Sequence, residues 1–171
     1  MSKCGCIRIV PYDFKNIVII SGGQTGADQG GLEGAVKAGF ETGGFLPKGC
    51  KTEKGPMPEL KEKFRLIESS SDNYVHRTQL NVKSSSMTLW FGSNDSAGFH
   101  ATHKSCKVNG KPFYDVTGYS DDDIAKLIKE KKPSIINIAG NRESKAVGIR
   151  ERVRNTIYNV LNKLKYIKIN E

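Results

Sequence analysis

The sequence predicts an α/β fold, a three-layer sandwich with a mostly parallel central sheet. Three observations carry this. Continuous β-branched or apolar runs stand at 16–20, 87–91 and 134–140, as in strands buried on both faces. Each run breaks into a turn of Gly and small polar residues, 21–28, 92–98 and 139–148. After each turn apolar residues recur at helical spacing, and strands alternating with helices mean crossover units.

In chain order, Asn16-Ile-Val-Ile-Ile is the first strand. Leu32, Ala35, Val36 and Ala38 give the inner face of a helix that Gly39 stops. Residues 43–58, with Pro47, Gly49, Gly55, Pro56 and Pro58, read as a loop, and Phe64-Arg-Leu-Ile as a short strand. Tyr74 to Val82 reads as a helix, Met87 to Phe91 as a strand, His100 to Val108 as a helix and Phe113 to Val116 as a strand. Ser120 caps a helix whose first turn holds Asp121, Asp122 and Asp123, where the helix dipole favours anions. Ser134 to Gly140 is the last strand. Val153, Ile157, Val160, Leu161 and Leu164 form the inner stripe of a long last helix.

The 171 residues fit one domain, and no linker or repeat interrupts them. Residues 1–15 read as an N-terminal extension and 16–171 as the folded domain. No run approaches the ~20 apolar residues of a membrane span, and the start has no apolar signal core, so a cytoplasmic protein with free thiols is expected. Net charge is +9, and the last thirty residues hold eight basic groups against three acidic. No aromatic-interleaved basic stripe accompanies that excess, so it reads as a solvated face rather than a nucleic-acid surface. Cys4-x-Cys6 lacks a second pair, and His100-x-x-His103 lacks the zinc-protease Glu, so no metal site is expected.

In open α/β sheets ligands sit beyond the carboxyl ends of the strands. The turns SGGQTGAD, GSNDSAG and AGNRESKAVG all fall there, each opening a helix whose free N–H groups and dipole favour an anion such as phosphate. Neither a Walker A loop nor the dinucleotide fingerprint G-x-G-x-x-G occurs. The alternative is that the glycines serve packing alone.

Five separated motifs then resemble one family in order: Ser21-Gly-Gly-Gln-Thr-Gly-Ala-Asp28; Gly43-Gly-Phe-x-Pro-Lys-Gly49 with Glu53-x-Gly-Pro-x-Pro58; Tyr74-x-x-Arg-Thr-x-x-Asn-Val82; Gly110-Lys-Pro112; and Asn137-Ile-Ala-Gly-Asn-Arg-Glu-Ser144 with Gly148-Ile149. Residues 16–164 resemble the molybdenum carrier family, circularly permuted YpsA-like proteins of the SLOG superfamily. The resemblance implies a Rossmann-like fold and a pocket for a small anionic ligand, nucleotide-derived or pterin. It also implies the molybdenum cofactor as cargo, and homo-oligomers. Three functions stay open: a binding protein for such a phosphorylated ligand, a sensor or sponge for a nucleotide messenger, and a glycosidic hydrolase of nucleoside phosphates or ADP-ribose-type compounds. The sequence departs from the family in Gln29, where Arg is usual, and in Phe99, just after the second turn, where the family usually has a hydroxyl.

The candidate ligand-binding residues follow. Gly22, Gly23, Gln24, Thr25 and Gly26 would cradle phosphate, and Gly26→Val would block the ligand while sparing the fold. Lys48 would pair with the anion and Arg77 would clamp it. Asn81 would orient the ligand or hold backbone. Ser96, Gly98, Gly140, Arg142 and Ser144 complete the converging turns, and Phe99 would stack on a ring or anchor its loop. Asp28 is the catalytic candidate, because a ribose–base hydrolase needs a carboxylate near this turn. Trp90 reads as core, and His76, His100 and His103 as surface residues.

Overall fold

The computed structural model describes residues 12–167. Cys4 and Cys6, and most of the expected extension, lie outside the described residues. The elements run β1 (Val18–Ser21), α1 (Ala27–Ala38), β2 (Glu41–Gly43), β3 (Phe45–Leu46), β4 (Lys51–Thr52), β5 (Gly55–Pro56), α2 (Glu59–Phe64), β6 (Ile67–Glu68), α3 (Tyr74–Ser84), β7 (Met87–Phe91), α4 (Ala97–Val108), β8 (Phe113–Asp115), α5 (Asp121–Lys131), β9 (Ile135–Gly140) and α6 (Ile149–Lys165).

A five-stranded sheet in the order β2-β1-β9-β7-β8 forms the centre, and every pairing in it is parallel. The last strand of the chain is therefore the middle strand of the sheet. The central strands are apolar on both faces because helices cover both: all five residues of β7 are buried, as are Ile136 and Ile138 of β9. One main core joins these strands to α1, α5 and α6. Tyr12 and Phe14, before the expected boundary at residue 16, pack on the same core. Tyr12 donates its hydroxyl to the Pro133 carbonyl at 2.5 Å.

The helix ends follow their sequence signals. Ser120 and Asp123 form a reciprocal capping box on α5. Gly39 adopts the left-handed conformation that closes α1. The five inner positions of α6 are all buried. Val36 is different: it is 47% exposed, on the outer side of α1.

Residues 43–68, expected as a loop and a short strand, form a small lobe. Its parts are a parallel pair β3–β6, an antiparallel hairpin β4–β5 and α2. Leu32 of α1 joins Leu46, Cys50, Leu60, Phe64 and Leu66 in a second apolar cluster that fixes the lobe to the main body. Phe64 ends a helix rather than starting a strand, because Arg65 turns left-handed and closes α2.

α1 and α6 approach until backbones touch. A Cβ on Gly30 would sit 2.3 Å from the Arg150 carbonyl oxygen, and one on Gly34 2.5 Å from that of Arg154. Across this seam the Glu33 carboxylate accepts from both Nε and a terminal nitrogen of Arg150, and also meets Lys63. Gly34→Ala is expected to destabilise the fold by about 1–3 kcal/mol through overpacking. It should do so although alanine favours a helix by about 1 kcal/mol. Urea unfolding checks this, and a stabilised variant would show that the helices can part without loss.

Candidate functional site

Because β1, β9 and β7 are neighbours, the three glycine-rich turns leave the sheet side by side at its carboxyl edge. Between them and helices α3 and α4 lies a cavity of about 650 Å³, within the size range of small-molecule sites. Gln24 and Asp28 reach it from the first turn, Ser93, Asp95, Ser96 and Gly98 from the second, and Gly140, Asn141, Arg142 and Lys145 from the third. Tyr74, Val75, Arg77 and Thr78 line it from α3, and Ala97, Ala101 and Thr102 from α4, with Trp90 between them.

Asp28 and Arg77 form a buried ion pair, with Nη1 3.1 Å from Oδ2 and the two side chains 13% and 5% exposed for Arg77 and Asp28. The same Oδ2 accepts the Gln24 N–H at 3.2 Å. Burial pushes the Asp28 carboxyl above the usual carboxylate range, while Arg77, the Gln24 N–H and Ser21 pull it back. Gly22 is the residue that admits the guanidinium, since a Cβ there would fall 1.6 Å from Nη1.

A second carboxylate, Glu53 on the β4–β5 hairpin, ties two turns together. It accepts the Thr25 hydroxyl, the Ser144 hydroxyl and the Ser144 N–H, the last at 3.2 Å, and Arg142 Nε lies 4.0 Å away. Burial raises the Glu53 carboxyl, but Ser144, Thr25 and Arg142 together outweigh it and hold it below its ordinary value of 4.5. The Glu53 N–H and the Thr25 N–H both donate to Gln24 Oε1, at 2.9 and 3.0 Å. That leaves Gln24 Nε2 buried without a partner, and Arg77 Nε likewise.

The remaining expected site residues fall as follows. Gly23 packs toward Leu46 and Leu66. Gly26 has φ +86°, and a Cβ there would meet Asn141 O at 2.5 Å and Glu143 N at 2.6 Å. Gly26→Val would thus strike the fold itself, a correction to the sequence expectation. Gly140 lies against Phe91 O and Ala27. Thr25 and Ser144 are occupied by Glu53 and do not line the cavity. Asn81 holds the backbone N–H and C=O of Phe45 at 2.9 and 3.1 Å. Lys48 lies away from the cavity on the lobe. Phe99 does not line it either: its ring packs edge-on against Trp90 and Phe113 and stacks with His103. His100 and His103 belong to this surface aromatic group.

The helix N-termini are also less open than their sequences suggest. Ala27 N–H donates to Asn141 O at 3.1 Å. Glu143 accepts the N–H groups of Gly148 and Arg150 at the start of α6, at 2.5 and 3.0 Å. Ser96 caps α4 through the Phe99 N–H at 3.1 Å. Glu53, which ties the turns together, and Lys145, Asp95 and Asn141, which line the cavity, are residues that sequence reasoning passed over. Glu53 stands in the second motif, but only the hairpin brings it across to Thr25 and Ser144.

Fold and cavity together define a Rossmann-like α/β domain with a cleft at the carboxyl ends of its central parallel strands. The chain belongs to the circularly permutated YpsA SLOG family, whose profile matches residues 19–161. It is similar to the crystal structure of a "Putative molybdenum carrier protein" from Syntrophus aciditrophicus, with 30% identity and a TM-score of 0.72 over 92% of this chain and 97% of that one. Comparison with curated proteins gives no match.

Arg77→Ala is expected to cost about 3–5 kcal/mol of folding stability, because it strands a buried carboxylate. Asp28→Ala added to it should restore part of the loss in urea unfolding. A neutral single variant would show that the pair is solvated. Glu53 gives a pH signature: a depressed carboxyl stabilises fully above 4.5, and that contribution fades as pH falls through its folded value. Unfolding titrations between about pH 6 and about pH 3 should show a shallower acid loss in Glu53→Gln than in the wild type.

Proposed function

We propose that this chain binds a small phosphorylated ligand, nucleotide-derived or molybdopterin-like, in the cavity at the carboxyl edge of the sheet, and that it binds without turnover. The observation that carries the reading is the cavity's charge. Arg77, Arg142 and Lys145 line it against Asp28 and Asp95, and the Arg77 charge is already matched by Asp28. Lys145, and Arg142 at 4.0 Å from Glu53, remain to meet an anion. The neighbour's name, a molybdenum carrier protein, is compatible with a molybdenum-cofactor cargo. Among the described residues no three His, Cys, Asp or Glu side chains gather as a metal-ligand set. Among the same residues no helix is long and apolar enough to cross a membrane.

Binding without turnover is favoured by the state of Asp28. A general acid or base must exchange a proton with the reacting atom, and this carboxylate, although it lines the cavity, has its Oδ2 taken by Arg77 and the Gln24 N–H. Mass spectrometry of protein denatured after gentle purification should release a phosphorylated heterocycle. Ala101→Phe, which fills the cavity from α4, should purify without it and unfold at the same urea concentration as the wild type. Nucleoside monophosphates should release no base. Base release that vanishes in Asp28→Asn would establish a hydrolase instead. Absence of any released compound, with no calorimetric heat from AMP or neopterin monophosphate, would refute the binding reading.

A further inference from the structure

Glu53 lies outside the cavity yet holds two of the turns that line it. Its carboxylate accepts the Thr25 hydroxyl, the Ser144 hydroxyl and the Ser144 N–H, and its own N–H donates to Gln24 Oε1. Thr25 and Ser144 are not part of the cavity wall, but residues beside them are. Gln24 precedes Thr25, and Arg142 and Lys145 stand on either side of Ser144. Each turn is thus gripped one or two residues away from a residue that lines the cavity.

The grip also works in the other direction. Glu53 stands at the tip of the β4–β5 hairpin, whose ladder is only Lys51 with Pro56 and Thr52 with Gly55. So short a ladder fixes little by itself. The tip is held by its carboxylate: the Glu53 side chain is 13% exposed, while its neighbour Lys54 is exposed. On the other side, residues 142–145 reach the first turn through Glu53 and through the Glu143 N–H, which donates to Thr25 Oγ1 at 3.4 Å. Hairpin and third turn meet again at Tyr74, a residue of the cavity wall, whose ring centroid lies 5.4 Å from Lys51 Nζ and 5.7 Å from Arg142 Cζ.

We infer that Glu53 is a positioning residue for the anion-binding side of the cavity. It holds the turn of Arg142 and Lys145 at a fixed separation from Gln24. It thereby couples the small lobe, which supplies none of the residues that line the cavity, to ligand binding. This rests on the proposed anionic ligand and adds the element that governs its affinity. Charge alone predicts the opposite effect. Glu53 is itself an anion 4.0 Å from Arg142 Nε, so loss of its charge would by electrostatics strengthen the hold on a phosphate. A positioning role makes the same loss weaken that hold, because the cations must then be ordered at the expense of binding. By linkage, a bound anion strengthens the Glu53 tie by the factor by which the tie strengthens binding.

Calorimetry with AMP and neopterin monophosphate on the full-length protein chooses the probe. Glu53→Gln should bind it about tenfold more weakly than the wild type. Ser144→Ala cuts the same tie at its other end and should also weaken binding. The double variant should be little weaker than the weaker single one, since both remove one interaction. Circular dichroism sets a temperature at which every variant compared is folded. If Glu53→Gln does not fold, Ser144→Ala, which deletes one hydroxyl from an exposed residue, carries the comparison. In the wild type, saturating probe should slow hydrogen exchange of the Glu53 N–H by about the same tenfold. Binding by the folded variants as tight as the wild type's or tighter overturns the positioning role and leaves the cavity reading standing. So do losses that add in the double variant, or a Glu53 N–H whose exchange the probe does not change. If neither probe gives heat with the wild type, both readings fall together.

Discussion

The carboxyl edge of the sheet is organised around one buried ion pair, Asp28–Arg77. Neither charge is tolerable alone at that depth, so α3 must stand where its arginine meets the first turn of α1. The bare backbone of Gly22 makes room for the guanidinium. The same carboxylate oxygen fixes the Gln24 N–H, and Gln24 in turn receives the N–H of Glu53 from the small lobe. A chain of contacts thus runs from α3 through the first turn to the hairpin, and Glu53 carries it on to Ser144 ahead of α6. That side of the cavity wall is one hydrogen-bonded unit, so its shape depends on a largely buried ion pair.

Strands and helices were legible because burial imposes a period. β7 and β9 are apolar on both faces, α6 repeats its stripe every three or four residues, and Ser120 with Asp123 announces the start of α5. The lobe was not legible as structure. Its strands are two residues long, and its cluster draws on Leu32, Leu46 and Phe64 from three separate elements. No periodicity can appear over such short pieces. Val36 misled for a related reason: an apolar residue next to Ala35 fits the helical stripe by spacing, yet it lies just past its edge.

The candidate site was legible in place but not in occupancy. Composition marks donors, and three turns rich in glycine, hydroxyls and N–H groups do meet at one cavity. Composition does not mark which acceptor folds against each donor. Glu53 lies twenty-eight residues from Thr25 and ninety-one from Ser144, and only the hairpin brings the three together. Asn81 and Phe99 show the same limit. An amide and an aromatic ring suit a ligand as well as they suit a backbone or a tryptophan, and here the fold supplies the backbone of Phe45 and the ring of Trp90.

Self-occupied turns change what the cavity selects. Free amides at a helix start would hold any phosphate, since backbone N–H groups and the dipole read charge without regard to the rest of the molecule. With Asp28, Glu53 and Glu143 already in those positions, the attraction left for an anion comes from the side chains of Arg142 and Lys145 on the cavity wall. Exposed charge of that kind is screened by salt and gives little affinity alone. On the proposed function, retention would then depend on what the rest of the ligand buries against the small and apolar groups of the wall, such as Ala101, Thr102 and Ala139. A bare phosphate would have no such surface to cover. Discrimination between a phosphorylated heterocycle and the phosphate of the surrounding solution would therefore reside in those walls rather than in the turns.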